Sequence, residues 1–260
     1  LVYDYEEGAA QSDGPRPLAP SHYYTRVTQR LITALSAPTA EGTLYEVDMR
    51  LRPSGQKGPV ATKLSGFVSY QISEAWTWEH MAMTRARVIA GDADVVNRLE
   101  EAILEVLKAP RDREKVATDV REMRERIAAE KGTDNIWNLK QVRGGLVDLE
   151  FIAQYLQLAG AAKHPEILDQ NTLIALEKLS RAGALSPADA ADLISSGRLL
   201  HDLTQIVRLS LDHAFDPKNA PAGLKALLAR AVEKPDFEAV ENDLKSALDK
   251  VKSAFDRLVV

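Results

Sequence analysis

From about Leu64 to Val260 the apolar residues recur three or four positions apart, at the spacing of a helix face, and no long stretch alternates with the period of a strand. That restricts most of the chain to packed helices. Ser65–Ala90 reads as one or two helices containing Trp76 and Trp78, and Ala93–Leu107 as another, stopped by Pro110. Asp112–Glu130 is strongly charged and amphipathic, and Asn138–Val142 is short and suits an extended segment. Gly144-Gly145 opens a helix running to about Leu158. Further helices cover Asn171–Ala182, Pro187–His213, Ala222–Glu233 and Phe237–Leu258. Pro187 suits a first helical turn, with Ser186 as its cap.

The first part of the chain reads differently. Leu1-Val2-Tyr3-Asp4-Tyr5 resembles the end of a strand, and this abrupt start without a methionine predicts a fragment with chain missing upstream. Glu6–Pro20, rich in Gly, Pro, Ser and Asp, is a loop. Ser21 is placed to cap a helix over His22–Leu35, whose Tyr24, Val27, Leu31, Ile32 and Leu35 share helical spacing. Pro38 and Gly42 end it. Thr43–Arg52 then alternates with period two. Tyr45, Val47, Met49 and Leu51 point one way, while Leu44, Glu46, Asp48, Arg50 and Arg52 point the other. This predicts a half-buried strand, followed by the turn-rich loop Pro53–Pro59. The expected fold is α+β and predominantly helical: the remainder of a small α/β domain over residues 1–92, then an all-helical domain over 93–260.

Composition narrows the function. With 45% hydrophobic residues, 260 residues can bury one large core or two smaller ones. A net charge of -5 argues against a general nucleic-acid binder. There are no cysteines, which excludes disulfides, thiolate metal sites and a cysteine nucleophile. No apolar run approaches the roughly 20 residues that span a bilayer, and no signal peptide is evident. The five histidines show no pair at metal-binding spacing. There is no P-loop, no Gly-x-Gly-x-x-Gly and no Gly-x-Ser-x-Gly elbow.

Three constellations can carry chemistry, and each has an ordinary structural reading beside the functional one. On an exposed strand face, Asp48 can bind a divalent cation of the kind nucleotidyl transfer needs, with Arg50 and Arg52 on phosphate oxygens. The same pattern also suits routine cross-strand ion pairs. Glu74-Ala75-Trp76-Thr77-Trp78-Glu79-His80, followed by Arg85-Ala86-Arg87, offers acid–base groups, or simply two tryptophans packed between layers. Arg85 and Arg87 lie roughly 160° apart on a helix and face one ligand together only if the helix has ended. In Lys140–Phe151 the Gly144-Gly145 pair leaves backbone N–H groups for an anion, or makes a plain glycine turn before a helix. Asp148 and Glu150 diverge by about 200° on that helix, so they do not share a metal.

These three segments together resemble glutamine synthetase adenylyltransferases. Tyr45-Glu46-Val47-Asp48-Met49-Arg50-Leu51-Arg52-Pro53-Ser54-Gly55 is similar to that family's signature. The Glu74–His80 and Arg85–Arg87 pattern resembles the C-terminal, adenylylating half of that two-headed enzyme. Gly144-Gly145-Leu146-Val147-Asp148-Leu149-Glu150-Phe151 resembles a segment shared with uridylyltransferases of the PII protein. The likeness runs from residue 1 to about 213 and more faintly to the end. It implies a polymerase-β-like nucleotidyltransferase domain followed by a helical one, Mg2+ as cofactor, ATP as substrate and a tyrosine hydroxyl of glutamine synthetase as acceptor. It also implies regulation by PII and glutamine, a cytoplasmic setting, and no nucleic-acid or membrane partner. Asp48 matches the third catalytic Asp of the family and would bind the metal. The earlier Asp-x-Asp pair would precede Leu1, so this chain departs from the pattern and is expected to bind Mg-ATP poorly. Arg50, Arg52 and Ser54 would face the phosphates, and Gly144 and Gly145 a second wall of the cleft. Two alternatives stay open: the deadenylylating half, or a helical module that docks glutamine synthetase or PII.

Overall fold

The computed structural model describes residues 1–5, 8 and 11–260. It is predominantly helical with small sheets, as the periodicity requires. Two compact units are present: Leu1–Met83 with Arg87–Val106, and Thr84–Ala86 with Leu107–Val260. Among the described residues, no helix is long and apolar enough to cross a membrane.

In the first unit, strand β1 (Val2–Tyr3) leads, and helix α1 spans Pro20–Ser36. The expected loop Glu6–Pro20 falls outside the described residues at Glu6, Glu7, Ala9 and Ala10. From Gln11 to Ala19 it has no regular element. Pro20, not Ser21, opens α1, and Ala19 is the cap position with no side-chain hydrogen bond. Proline's fixed φ and missing N–H suit that place, which moves Ser21 inside the first turn. Tyr24 of α1 stacks on Tyr3 with ring centroids 4.2 Å apart, and Thr28 is buried. Val27 and Leu31, which share that helical spacing, are exposed.

Strands β2 (Pro38–Thr39) and β3 (Gly42–Thr43) form a short antiparallel hairpin, and β4 (Thr62–Lys63) pairs in parallel with β1. The expected strand Thr43–Arg52 does not form: residues 45–50 have no regular structure. Tyr45 and Leu51 are 63% and 65% exposed, against the expectation that both are buried. Alternation selects the face that would be covered, but a strand exists only when a neighbour satisfies its N–H and C=O groups. Among the described residues no strand lies alongside. Helices α2 (Leu64–Ser73), α3 (Thr77–Met83) and α4 (Ala93–Lys108) follow. Ser65–Ala90 is thus two helices, and the second ends at Met83.

The second unit is a helical bundle. Its helices are α5 (Arg113–Lys131), α6 (Leu146–Gly160), α7 (Thr172–Arg181), α8 (Pro187–Ser210), α9 (Ala222–Ala231) and α10 (Phe237–Leu258). Asp112, Asn171, Ser186 and Asp236 cap four of them through side-chain oxygens. Helix α6 lies at the centre, packed on α5, α7, α8 and α10. Its Leu149, Ile152 and Tyr155 are fully buried, together with Leu176, Leu193, Leu200 and Leu244 of its neighbours. Each buried aliphatic side chain of this size stabilises by about 1.5–3 kcal/mol. Asn138–Val142 forms turns rather than the expected extended segment. Trp137, just before it, packs on Phe215 and Phe237, and its indole N–H donates to Glu241 at 2.9 Å.

Candidate functional site

Asp48 sits in the irregular segment after β3 and is open to solvent. Its carboxylate turns back on its own chain. Arg50 Nε donates to both carboxylate oxygens at 3.0 Å, Arg50 Nη2 donates to Oδ2 at 2.6 Å, and the Arg50 backbone N–H donates to Oδ1 at 2.9 Å. Asp48 and Arg50 therefore share a side, as the alternation requires, although no sheet holds them there. The Arg50 side-chain and backbone hydrogen bonds hold the Asp48 carboxyl well below its ordinary 3.8, at about 2. Asp48 is thus ionised across the physiological range. The pair is complete above about pH 3.8 and is lost as pH falls through about 2. Replacing Arg50 by Ala is expected to return the Asp48 carboxyl from about 2 towards 3.8, read from its carboxyl carbon in an NMR titration. An unchanged titration would show that the guanidinium does not hold it.

Arg52 is half-buried and holds the loop that follows. It donates to the carbonyls of Met49 (2.5 Å), Gly58 (3.1 Å) and Gln56 (3.1 Å). Those bonds engage the guanidinium with backbone. Ser54 is exposed and adopts a left-handed conformation (φ 60°) just before the short 3-10 turn Gly55–Lys57. Asp4 after β1 accepts from Arg98 at 2.6 Å and from the Tyr5 N–H.

The Trp-rich segment is built around Glu79. This residue stands three positions after Trp76 and reaches back to accept the Trp76 N–H at 2.9 Å, half of a capping box at the start of α3. The Tyr70 hydroxyl donates to the same carboxylate at 3.0 Å. Burial first, and then Glu79 among other causes, push the Tyr70 hydroxyl up. His80 pairs with the Gln71 carbonyl at 3.0 Å. Trp76 is 67% exposed, not packed between layers. Because α3 ends at Met83, Arg85 is free of helical geometry, and its Nη1 meets Glu150 at 3.0 Å.

The glycine segment belongs to the second unit, whereas Asp48 lies in the first. Its centre is Asp148, fully buried on the first turn of α6. Arg124 Nε, itself buried on α5, donates to Asp148 Oδ1 at 2.5 Å. Arg143 Nη1 donates to the same oxygen at 2.9 Å, and the Gly144 N–H donates to Oδ2. The Gly145 N–H donates to the Val142 carbonyl at 2.9 Å. Both glycine amides are therefore engaged inside the turn. Arg124 is the residue that the sequence reading passed over. Nothing local marks it among the many charges of α5, because its partner lies 24 residues away. The second unit also holds a cleft of about 450 Å³, lined by Ser195, Asp202, Lys234, Asp243 and Lys250 among others. Lys234 already pairs with Asp243, and Lys250 with Asp192 at 2.7 Å.

For a magnesium ion the donor set is thin. Among the described residues no group of three or more His, Asp or Glu side chains is gathered as a metal would require. Asp48 offers one carboxylate, already engaged by Arg50. A single exposed carboxylate does not fix an octahedral cation by itself. The residues present do not fit a self-contained magnesium site.

Comparison with known proteins adds the context. Residues 1–102 match the family described as Glutamate-ammonia ligase adenylyltransferase, and residues 114–259 the one described as GlnD PII-uridylyltransferase. Over 260 residues the chain is 49% identical to a bifunctional glutamine synthetase adenylyltransferase/adenylyl-removing enzyme from Xanthobacter autotrophicus. It is 48% identical over 259 residues to the protein of that description from Rhodopseudomonas palustris, and 51% over 257 residues to the one from Agrobacterium fabrum. The matches cover 98–100% of this chain but 26% of each of these relatives.

Proposed function

We propose, from the premise that this chain belongs to the glutamine synthetase (glutamate-ammonia ligase) adenylyltransferase family, that it is a piece of the enzyme that moves AMP from ATP to a tyrosine hydroxyl of glutamine synthetase. The observation that carries this reading is the 49% identity across all 260 residues to a relative named a bifunctional glutamine synthetase adenylyltransferase/adenylyl-removing enzyme. The pattern Glu74–His80 followed by Arg85–Arg87 favours the adenylylating half over the removing one. The match of residues 114–259 to a PII-uridylyltransferase description favours PII as a regulatory partner. The setting that fits ATP and glutamine synthetase is the cytoplasm.

In this reading Asp48 is the metal-binding carboxylate of the transfer site and Arg50 faces the phosphates. The Asp48 carboxylate is open to solvent and so accessible to a cation. Arg52, Gly144 and Gly145 act through the loops they shape, because their N–H groups are engaged within those loops. Ser54 stands exposed at the turn after Arg52. A magnesium ion held at Asp48 together with further ligands would supply charge neutralisation at the triphosphate.

The test uses the longer enzyme that carries this chain. Asp48→Asn is expected to lower AMP addition by about tenfold or more while AMP removal is retained. Unchanged addition, or loss of removal alone, would reject the assignment.

A further inference from the structure

We propose that Tyr70 and Glu79 are positioning residues for the transfer site: a directed relay of hydrogen bonds through them fixes the turn at Ser54, and with it the closed loop that begins beside Asp48. The link to the reaction rests on the reading given under Proposed function. The relay itself stands on geometry, and all of its members lie in the first unit. The loop is held shut from within. Arg52 donates to the carbonyls of Met49, Gln56 and Gly58, so one guanidinium ties its two ends. The Gly55 N–H donates to the Arg52 carbonyl at 2.7 Å, and the Gly58 N–H to the Gly55 carbonyl at 3.1 Å. Gly58 lies against the Pro53 carbonyl with no room for a Cβ. Met49 follows Asp48 directly, and Arg50 inside the loop holds the Asp48 carboxylate. Whatever fixes this loop therefore bears on where that carboxylate stands.

Ser54, midway along the loop, has a left-handed backbone (φ 60°), uncommon for a residue with a Cβ. Such a conformation persists when the surroundings determine it. Tyr70 of α2 supplies the outside contact: the Ser54 backbone N–H donates to its hydroxyl oxygen. The hydroxyl in turn donates to Glu79 of α3, whose two carboxylate oxygens lie 3.0 Å and 3.1 Å away. Glu79 is buried and also accepts the Trp76 N–H at 2.9 Å. A carboxylate accepts and does not donate. It draws the Tyr70 proton towards itself and leaves the hydroxyl lone pairs for Ser54. The direction of the relay is thus set, from the Ser54 N–H to the Tyr70 hydroxyl to Glu79. Its far end is anchored at the start of α3, where the same carboxylate caps the Trp76 N–H. Removing the hydroxyl leaves a donor and an acceptor each short of one partner.

The relay is tested first on the 260-residue chain by amide hydrogen exchange. Tyr70→Phe keeps the ring and removes only the hydroxyl. It is expected to speed exchange of the Ser54 amide about threefold to tenfold, the scale of one hydrogen bond, while the Trp76 amide stays within about twofold of the unsubstituted chain. Glu79→Ala is expected to speed both amides by about threefold to tenfold. Glu79→Gln, which keeps an acceptor oxygen, is expected to return the Trp76 amide to within about twofold. Unchanged Ser54 exchange in Tyr70→Phe would overturn the relay. Faster Trp76 exchange without faster Ser54 exchange in Glu79→Ala would overturn the part given to Glu79. The second arm uses the longer enzyme. Tyr70→Phe is expected to raise the KM for ATP about threefold to tenfold, with the KM for glutamine synthetase and the rate of AMP removal unchanged. Partial loss of folded enzyme lowers kcat but moves no KM. A fall in kcat alone would therefore overturn the positioning role, as would faster exchange with an unchanged KM for ATP. Failure of the unsubstituted longer enzyme to transfer AMP would instead overturn the functional reading, on which the exchange arm does not depend.

Discussion

Replacing Asp148 by Ala is expected to destabilise the helical unit by about 3–5 kcal/mol, the cost of leaving a buried charge without its partner. Arg124 is 2% exposed and its Nε has Asp148 as acceptor at 2.5 Å. Its Nη2 reaches the carbonyls of Gln141 (3.1 Å) and Val142 (3.5 Å), which help hold the guanidinium but do not neutralise it. Arg143 would keep Asp256 at 3.0 Å, so its loss is smaller. The Gly144 N–H, buried, would lose its acceptor as well. Against a typical total stability of about 5–15 kcal/mol, this is a large fraction. At about 2–4 °C per kcal/mol for a protein of this size, the transition of the helical unit is expected to fall by about 10 °C. Thermal unfolding followed by far-ultraviolet circular dichroism measures it. A second variant separates charge from shape. Arg124→Met together with Asp148→Leu removes both charges, and apolar replacement of a buried pair is often neutral. It should recover most of the loss but not all, because the Gly144 N–H remains without an acceptor. A double variant as unstable as Asp148→Ala alone would show that the deficit lies in packing and not in the charge left on Arg124.

How much of this was legible beforehand depends on whether the cause was local. The helices after Leu64 follow from a period visible in any short window. The Ser186 cap follows from one serine before Pro187. Ser21 misled because Pro20 before it is a better opener of the same helix. Thr43–Arg52 misled for a deeper reason: its alternation is real, and Asp48 and Arg50 do share a side, but strand formation depends on a neighbour that the window does not contain. The shared side of Asp48 and Arg50 was therefore legible while the missing sheet was not. Asp148 shows the reverse case. The divergence of Asp148 and Glu150 around α6 was calculable from helical geometry, and the two carboxylates do meet different partners. Their partners were not calculable, since Arg124 sits 24 residues before Asp148 on another helix and Arg85 lies beyond the end of α3. The family resemblance supplied a function for the whole pattern, but it carried no information on which of its residues bind and which merely hold the chain.

Gly144→Ala puts that last distinction to the test. Gly144 has φ +80°, in the left-handed region, and an added Cβ would lie 2.6 Å from the carbonyl carbon of Leu248 on α10 and overlap its oxygen. The obstacle is backbone, so no rotamer change relieves it. The turn would have to back away from α10, and the Gly144 N–H would leave Asp148 as it moved. Gly183 is the control. It has φ +74° after the last turn of α7, with its N–H on the Ser180 carbonyl at 3.1 Å, but a Cβ there meets nothing within 4 Å. Gly183→Ala therefore carries only the conformational cost, about 1 kcal/mol. Gly144→Ala adds a backbone clash and a lost buried hydrogen bond, for about 3–5 kcal/mol in all. Urea unfolding of the two variants side by side isolates the difference, because the backbone conformation is matched and only the surroundings differ. If both lose the same stability, then Gly144 is needed for its conformation alone, and its packing on Leu248 has no energetic weight. If Gly144→Ala is folded and as stable as the unsubstituted chain, the turn is adaptable, and its amides regain the freedom that a nucleotide-facing role would need.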